Sequence, residues 1–145
     1  MIKTEKEYLE SKNRLDAEFK DLDAHAVKLK KAGLTKAQIK LALDPLVSFA
    51  LQLQEEVEEY EKLKRGQFDT IENFNGIGRM LVALRIFKGL KQKDLAKKLD
   101  VTEAQVSRDE RNEYHGASIE KIQKVLEALD VTLKSVIETG YKDAV

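Results

Sequence analysis

No cysteine occurs in this chain of 145 residues, which excludes disulfides, thiolate nucleophiles and cysteine-based zinc sites. One proline and no tryptophan stand beside 36% charged and 42% apolar residues, the composition of a protein built from long helices rather than of a disordered segment. No apolar run approaches the roughly 20 residues of a membrane span, and the polar N-terminus lacks the apolar core of a secretory signal, so the expected location is the cytoplasm. Only His25 and His115 represent histidine, and neither has a second metal ligand at a recognisable spacing. Gly76-Ile-Gly78 is too short for a phosphate-cradling loop. With no paired catalytic groups either, no metal, no cofactor and no enzymatic activity are expected. Net charge is also lacking, since 26 basic residues balance 26 acidic ones. The balance is uneven, however: residues 77–116 hold nine basic and six acidic side chains, a surplus compatible with a nucleic-acid partner.

What the sequence does have is helical periodicity. Tyr8, Leu15, Phe19, Leu22, Ala26 and Leu29 form a heptad-like seam on one face, interrupted by Lys12. Lys28, Lys30 and Lys31 followed by Gly33 end that helix. Thr35-Lys-Ala-Gln38 has the spacing of a capping box and predicts a short helix to about Leu43. Asp44 as cap and Pro45 at a first helical position then predict a new long helix. Its apolar stripe is Leu46, Phe49, Leu53, Val57, Tyr60 and Leu63, and Glu55, Glu56, Glu58, Glu59 and Glu61 form its solvated face. Lys62, Lys64 and Arg65 precede a terminating Gly66. Two such helices in succession predict an antiparallel hairpin over residues 1–66, followed by a linker at 67–76 and a second domain at 77–139.

Five short helical patterns fill that second domain. Met80, Leu81, Leu84 and Phe87 form the first stripe, ending at Gly89; Leu95, Ala96 and Leu99 form the second, ending near Asp100. Thr102-Glu-Ala-Gln105 is a further capping box and opens a third helix with Val106 inward. Ser118 caps a fourth, with Ile119, Ile122, Val125, Leu126 and Leu129 inward, and Thr132 opens a fifth carrying Leu133, Val136 and Ile137. The unit from Gln92 to Arg111 satisfies the requirements of a helix-turn-helix. Ala96 is small where the two helices approach, Asp100-Val101 provides a tight turn with Val101 inward, and Glu103, Gln105, Ser107 and Arg108 offer polar side chains to a major groove.

Leu84-Arg85, Gly89-Leu90, Gln92-Lys-Asp-Leu-Ala96, Leu99, Val101, Val106-Ser-Arg108 and Glu110-Arg-Asn112 together resemble the phage-repressor-type helix-turn-helix family, the Xre or Cro/C1-type regulators. The resemblance covers roughly residues 77–137. It implies an all-α protein with a five-helix lambda-repressor-like domain behind the hairpin. It implies further that Gln92 contacts phosphate and braces a recognition-helix side chain, and that Glu103, Ala104, Ser107 and Arg108 face the bases, with Thr102 and Gln105 at the start of that helix. Arg108 is the expected guanine contact, because a guanidinium fork matches the O6 and N7 acceptors. Lys93, Arg111 and Asn112 are expected on phosphate. Two positions depart from the family pattern: Asp100 stands where glycine is usual, and Asp109 where an aromatic or apolar residue is common. Asp109 and Glu110 are expected to turn away from DNA and pair with Arg85.

One such domain is too small for tight specific binding to double-stranded DNA, so a homodimeric repressor is expected. Two surfaces could form the dimer: Leu133, Val136 and Ile137 with Tyr141, or the hairpin seam through Leu15, Phe19 and Leu22. The run Glu58-Glu-Tyr-Glu61, then a linker, then this domain is similar to the organisation of HigA-like antitoxins, which would add a toxin as partner. A protein-interaction module with a vestigial helix-turn-helix is the remaining alternative.

Overall fold

A computed structural model describes residues 1–140, which form six helices and, among the described residues, no strand. The first helix, α1 (Glu5–Lys31), starts on a reciprocal capping box: Thr4 Oγ1 accepts the Glu7 amide at 3.2 Å while Glu7 Oε2 accepts the amides of Lys3 and Thr4 at 2.8 and 3.2 Å. The Thr35–Gln38 box opens α2 as expected, with both of its bonds formed. The expected stop after Leu43 is absent. Helix α2 (Lys36–Lys64) runs through Pro45 without interruption. A proline inside a helix removes one backbone hydrogen bond and crowds the preceding turn, at about 3 kcal/mol. Leu43 and Ala50, on either side of it, are both buried in one cluster with Leu22, lined by Ala26, Leu29, Ile39 and Val47. Each large apolar side chain so covered contributes about 1.5–3 kcal/mol, enough to keep both halves of α2 on the same partner.

Val57, Tyr60 and Leu63 of the expected stripe are buried, but toward the tip the seam departs from it. Ala50 and Leu43, at steps of seven residues before Val57, are buried there, whereas Leu46 and Phe49 are 45% and 42% exposed. Leu15 and Leu22 are buried inside the protomer, and Phe19 is 36% exposed. At the open end the two helices are latched by side chains. Tyr8 and Tyr60 stack with centroids 4.9 Å apart, and their hydroxyls donate to Glu61 at 2.8 Å and Glu5 at 3.0 Å respectively. Lys64 Nζ lies 2.7 Å from Glu5, and its hydrogen bond holds that carboxyl below its ordinary pKa. Lys12, the interruption in the apolar pattern, belongs to the latch, 3.2 Å from the Tyr8 hydroxyl and 3.8 Å from Glu61.

Beyond the latch the core does not stop at the hairpin. Ile2, Leu15, Val57, Tyr60 and Leu63 share one continuous cluster with the core of the C-terminal part, and Phe68, within the expected linker, packs against it. Helix α3 (Ile77–Phe87) is the reason. It lies between α2 and α5, in a core cluster shared with residues of α4 and α6, so Leu81 through Ile86 are all buried rather than one stripe of them. Phe87 is 45% exposed and meets Phe68 edge to face at 5.5 Å. Around α3 stand α4 (Gln92–Leu99), α5 (Glu103–Arg111) and α6 (Ile119–Ala128). Within α6, Val125, Leu126 and the following Leu129 are buried, but Ile119 sits at the first position, 72% exposed, and not inward as expected.

The expected fifth helix is not formed: residues 131–140 have no regular secondary structure, so the domain holds four helices. Val131, Thr132, Val136, Ile137 and Thr139 are β-branched, which weakens helix formation, and a segment this short needs a packed face. It has none, since Leu133, Val136 and Ile137 are 43%, 86% and 89% exposed. Tyr141 lies outside the described residues.

Two tyrosines make the fold sensitive to alkali. Burial, with the Glu5 hydrogen bond at Tyr60 and the Glu110 charge near Tyr114, raises both phenols well above their ordinary pKa. A raised folded-state pKa favours the protonated form, so this stabilisation is complete below about pH 10, the unfolded value, and is lost as pH climbs above it. Thermal melts between pH 7 and 11 should show Tm falling at the alkaline end, and Tyr114→Phe, which cannot ionise, should flatten that decline.

Candidate nucleic-acid interface

The two helices at the centre of the C-terminal part meet at a tight turn whose geometry follows from Asp100. This residue is left-handed, φ 55°, and the chain past it folds back so that the Val101 amide donates to the Ala96 carbonyl at 3.0 Å. That bond closes the C-terminus of α4 and leaves Ala96, 3% exposed, against α5. Aspartate tolerates this conformation less well than glycine, so Asp100→Gly should raise stability by about 0.5–1 kcal/mol, read as a higher urea midpoint at unchanged slope. Val101 itself is not inward, as the sequence pattern suggests, but 43% exposed, because the reversal carries its side chain to the rim of the turn.

Helix α5 then starts on Thr102, whose Oγ1 accepts the Gln105 amide at 3.1 Å. Only this half of the expected capping box forms. The Gln105 side chain is used elsewhere: its amide donates to Asp109 Oδ1 at 3.0 Å and its carbonyl accepts from Arg108 Nη2 at 2.9 Å. Val106, 1% exposed, and Glu110, 0% exposed, anchor the inner face of the helix. On the other face Glu103, Ala104, Arg108 and Arg111 are exposed, with Thr102 and Asn112 at its ends, and Ser107 and Gln105 half-buried. Lys93 on α4 is exposed. Among the described residues Lys93, Arg108 and Arg111 take part in no ion pair.

Beneath this face lies a buried network. Glu110 receives both Arg85 Nε and Nη2, the latter at 2.9 Å, and Gln92 Nε2 at 2.7 Å. Arg85, 2% exposed, donates further to the Leu90 carbonyl at 2.8 Å and to the Lys3 carbonyl at 2.7 Å. A guanidinium has five donors in a fixed fork, and here they bind α3, α5, the turn before α4 and the segment ahead of α1 into one unit. Gln92 is therefore bonded to a side chain of α5 through Glu110. Asp109, expected to pair with Arg85 as well, does not join it; it accepts from Lys121 Nζ at 2.7 Å and tethers α5 to α6. Four of the five Arg85 donors are taken by Glu110 and two carbonyls, and Asp109 bonds the cation on the neighbouring helix instead. The Lys3 contact had no signal in the sequence, nor did Gly78, buried where α3 passes the Glu113 carbonyl.

Between the start of α3 and the turn from Asn112 to Ala117 runs an open groove that includes Arg79, Arg111 and His115, and Arg79 is 3.8 Å from Glu113 across it. Among the described residues no three metal-ligating side chains come together, and no helix is long and apolar enough to cross a membrane. The arrangement offers exposed cations and polar side chains on a short helix held from beneath by Val106 and by the buried bonds to Glu110 near its C-terminal end. No curated protein and no solved structure matches the chain. Residues 81–136, however, match the family model described as helix-turn-helix. With α4, the Asp100 turn and α5 at its centre, this region is similar to that helix-turn-helix family.

Proposed function

We propose that this chain is a sequence-specific double-stranded DNA-binding transcriptional repressor that works as a homodimer in the cytoplasm. In this reading residues 77–139 bind DNA, residues 1–66 supply dimerisation or partner binding, and 67–76 join them. The observation that carries the proposal is the free outer face of α5: Glu103, Ala104 and Arg108 stand exposed while Val106 and Glu110 hold the helix from beneath. Arg108 leans on the neutral Gln105 amide, so its charge and remaining donors are open to a guanine. Lys93, Arg111 and Asn112 then meet phosphate, and Gln92 adds a phosphate contact while bracing Glu110. Leu133, Val136 and Ile137 are exposed and open to a second copy, as is Phe19 on the hairpin; Leu15 and Leu22 are occupied within the protomer.

Electrophoretic shift of the DNA upstream of the chain's own reading frame tests the proposal, with fragments selected from random DNA as the second substrate. Arg108→Ala should weaken specific binding by about 1–3 kcal/mol, roughly five- to 150-fold, and relax preference at one base position. Arg111→Ala should weaken specific and non-specific binding alike and reduce the salt slope by about one. Retention of full affinity and base preference by Arg108→Ala would remove the assigned contact. Failure of the wild type on every selected fragment would remove the repressor reading. A small basic protein encoded beside the chain, together with its capture by the hairpin, would turn the reading toward a HigA-like antitoxin.

A further inference from the structure

The hairpin carries a second apolar stripe that α1 covers only in part. Ala42, Leu46 and Phe49 are exposed and Leu53 is half-buried, and their spacing of four, three and four residues puts them on one face of α2, adjoining the buried seam. Phe49 lies at its centre. The Arg14 guanidinium, 4.9 Å from the ring centroid, covers one part of the ring, and 42% of the residue stays in water. The stripe is close to the middle of α2, and charge is strongly polarised to either side of it. Residues 28–40, at the tip, contain five lysines and no acid; residues 54–61, toward the open end, contain five glutamates and no base. Among the described residues none of those five lysines takes part in an ion pair.

We propose that this stripe is where a second copy of the chain docks, α2 against α2 in antiparallel sense, so that the lysine tip of one hairpin lies along the glutamate end of the other. The inference rests on the dimeric reading above and assigns its surface. A two-fold axis near Phe49 makes the apolar contact self-complementary, as an isologous interface requires. The same axis sets the lysine tip of each copy level with the glutamate end of the other, whereas pairing tip to tip would gather ten lysines in one place. Charge at the ends thus fixes the direction of pairing, and the apolar centre holds it.

Sedimentation equilibrium of the full chain tests this. Wild type should have the mass of two chains, with a dissociation constant that rises with salt. Leu46→Glu and Phe49→Glu, at positions already exposed in the protomer, should keep the helical circular dichroism and weaken dimerisation about thirtyfold or more, as loss of a central aromatic anchor does. Lys36→Glu with Lys40→Glu should weaken it as well; tightening by that pair of changes would mean tip-to-tip pairing and overturn the antiparallel arrangement. A dimer indifferent to Phe49→Glu but dissociated by Val136→Glu with Ile137→Glu would overturn this interface while leaving the dimeric reading intact. A wild type that stays monomeric at every concentration would overturn both.

Discussion

Replacing Glu110 by alanine should lower the stability of the protein by about 3–5 kcal/mol, the effect of leaving one member of a buried ion pair without its partner. The carboxylate is 0% exposed and binds both prongs of the Arg85 fork and the Gln92 amide. After its removal the guanidinium, 3% exposed at the side chain, has only two backbone carbonyls for company. Glu110→Gln keeps the shape and one acceptor but not the charge, and should fall between alanine and wild type. The double replacement Arg85→Met with Glu110→Leu removes both charges together and should recover most of the loss, because well-packed apolar groups often equal a buried pair in stability. Urea unfolding of wild type, Arg85→Met, Glu110→Leu and the double variant closes the cycle; additive losses would show that Arg85 and Glu110 are not coupled. The consequence for function is separate from the loss of stability. Glu110 holds α5 from beneath and Gln92 reaches it from α4, so the neutral double variant should fold and still bind DNA less tightly, with α5 less firmly positioned.

The readable parts of this fold are those governed by local chemistry. The Thr35 box, the glycine ends of the long helices and the polar outer face of α5 are each decided within a few residues, and each is visible as spacing. The unread parts are decided over distance. Pro45 is a strong local stop, and only the burial of Leu43 and Ala50 against α1 overrides it. The true seam of α2 is set by which rotation α1 accepts, so Leu46 and Phe49, as apolar as their neighbours, end outside it. Residues 132–140 alternate well enough to suggest a helix, yet Leu133, Val136 and Ile137 there have no buried face to pack. The Thr4 box, by contrast, was available at the right spacing and marks the true start of α1 more sharply than the apolar periodicity beginning at Tyr8 does. Glu110 was legible as a partner for Arg85, because an acid on a recognition helix is repelled by DNA and turns away from it, but the same argument assigned Asp109 to Arg85 too and missed Lys121. The Lys3 carbonyl, 82 residues away in the chain, left no local trace.

The same distance effect hides Gly78, where the second large loss of stability is expected. In the first turn of a helix, alanine in place of glycine normally adds up to about 1 kcal/mol of stability, because the helix no longer has to restrain glycine's backbone freedom. Here the sign should reverse. A Cβ on residue 78 would stand 1.7 Å from the Glu113 carbonyl oxygen and 2.4 Å from its carbon, and the obstacle is backbone, which has no rotamer to change. Nor can the turn readily move. Glu113 and Tyr114 are both left-handed, at φ 52° and 53°, and Tyr114 is buried at 6% exposure with its amide bonded to the Asp109 carbonyl at 2.7 Å. Overpacking against a well-fitted neighbour costs about 1–3 kcal/mol, and against a backbone pinned on both sides the loss should lie at or above the upper end. Thermal melts of Gly78→Ala beside Gly89→Ala separate this effect from loss of left-handed freedom: Gly89 has φ 69° with open space at its Cβ position, so alanine there pays only for backbone strain, about 1–2 kcal/mol. A Gly78→Ala protein as stable as wild type would mean that α3 and the turn after α5 do not approach this closely. In that case the seating of α5 between α3, α4 and α6, and with it the free outer face offered to DNA, would lose its support.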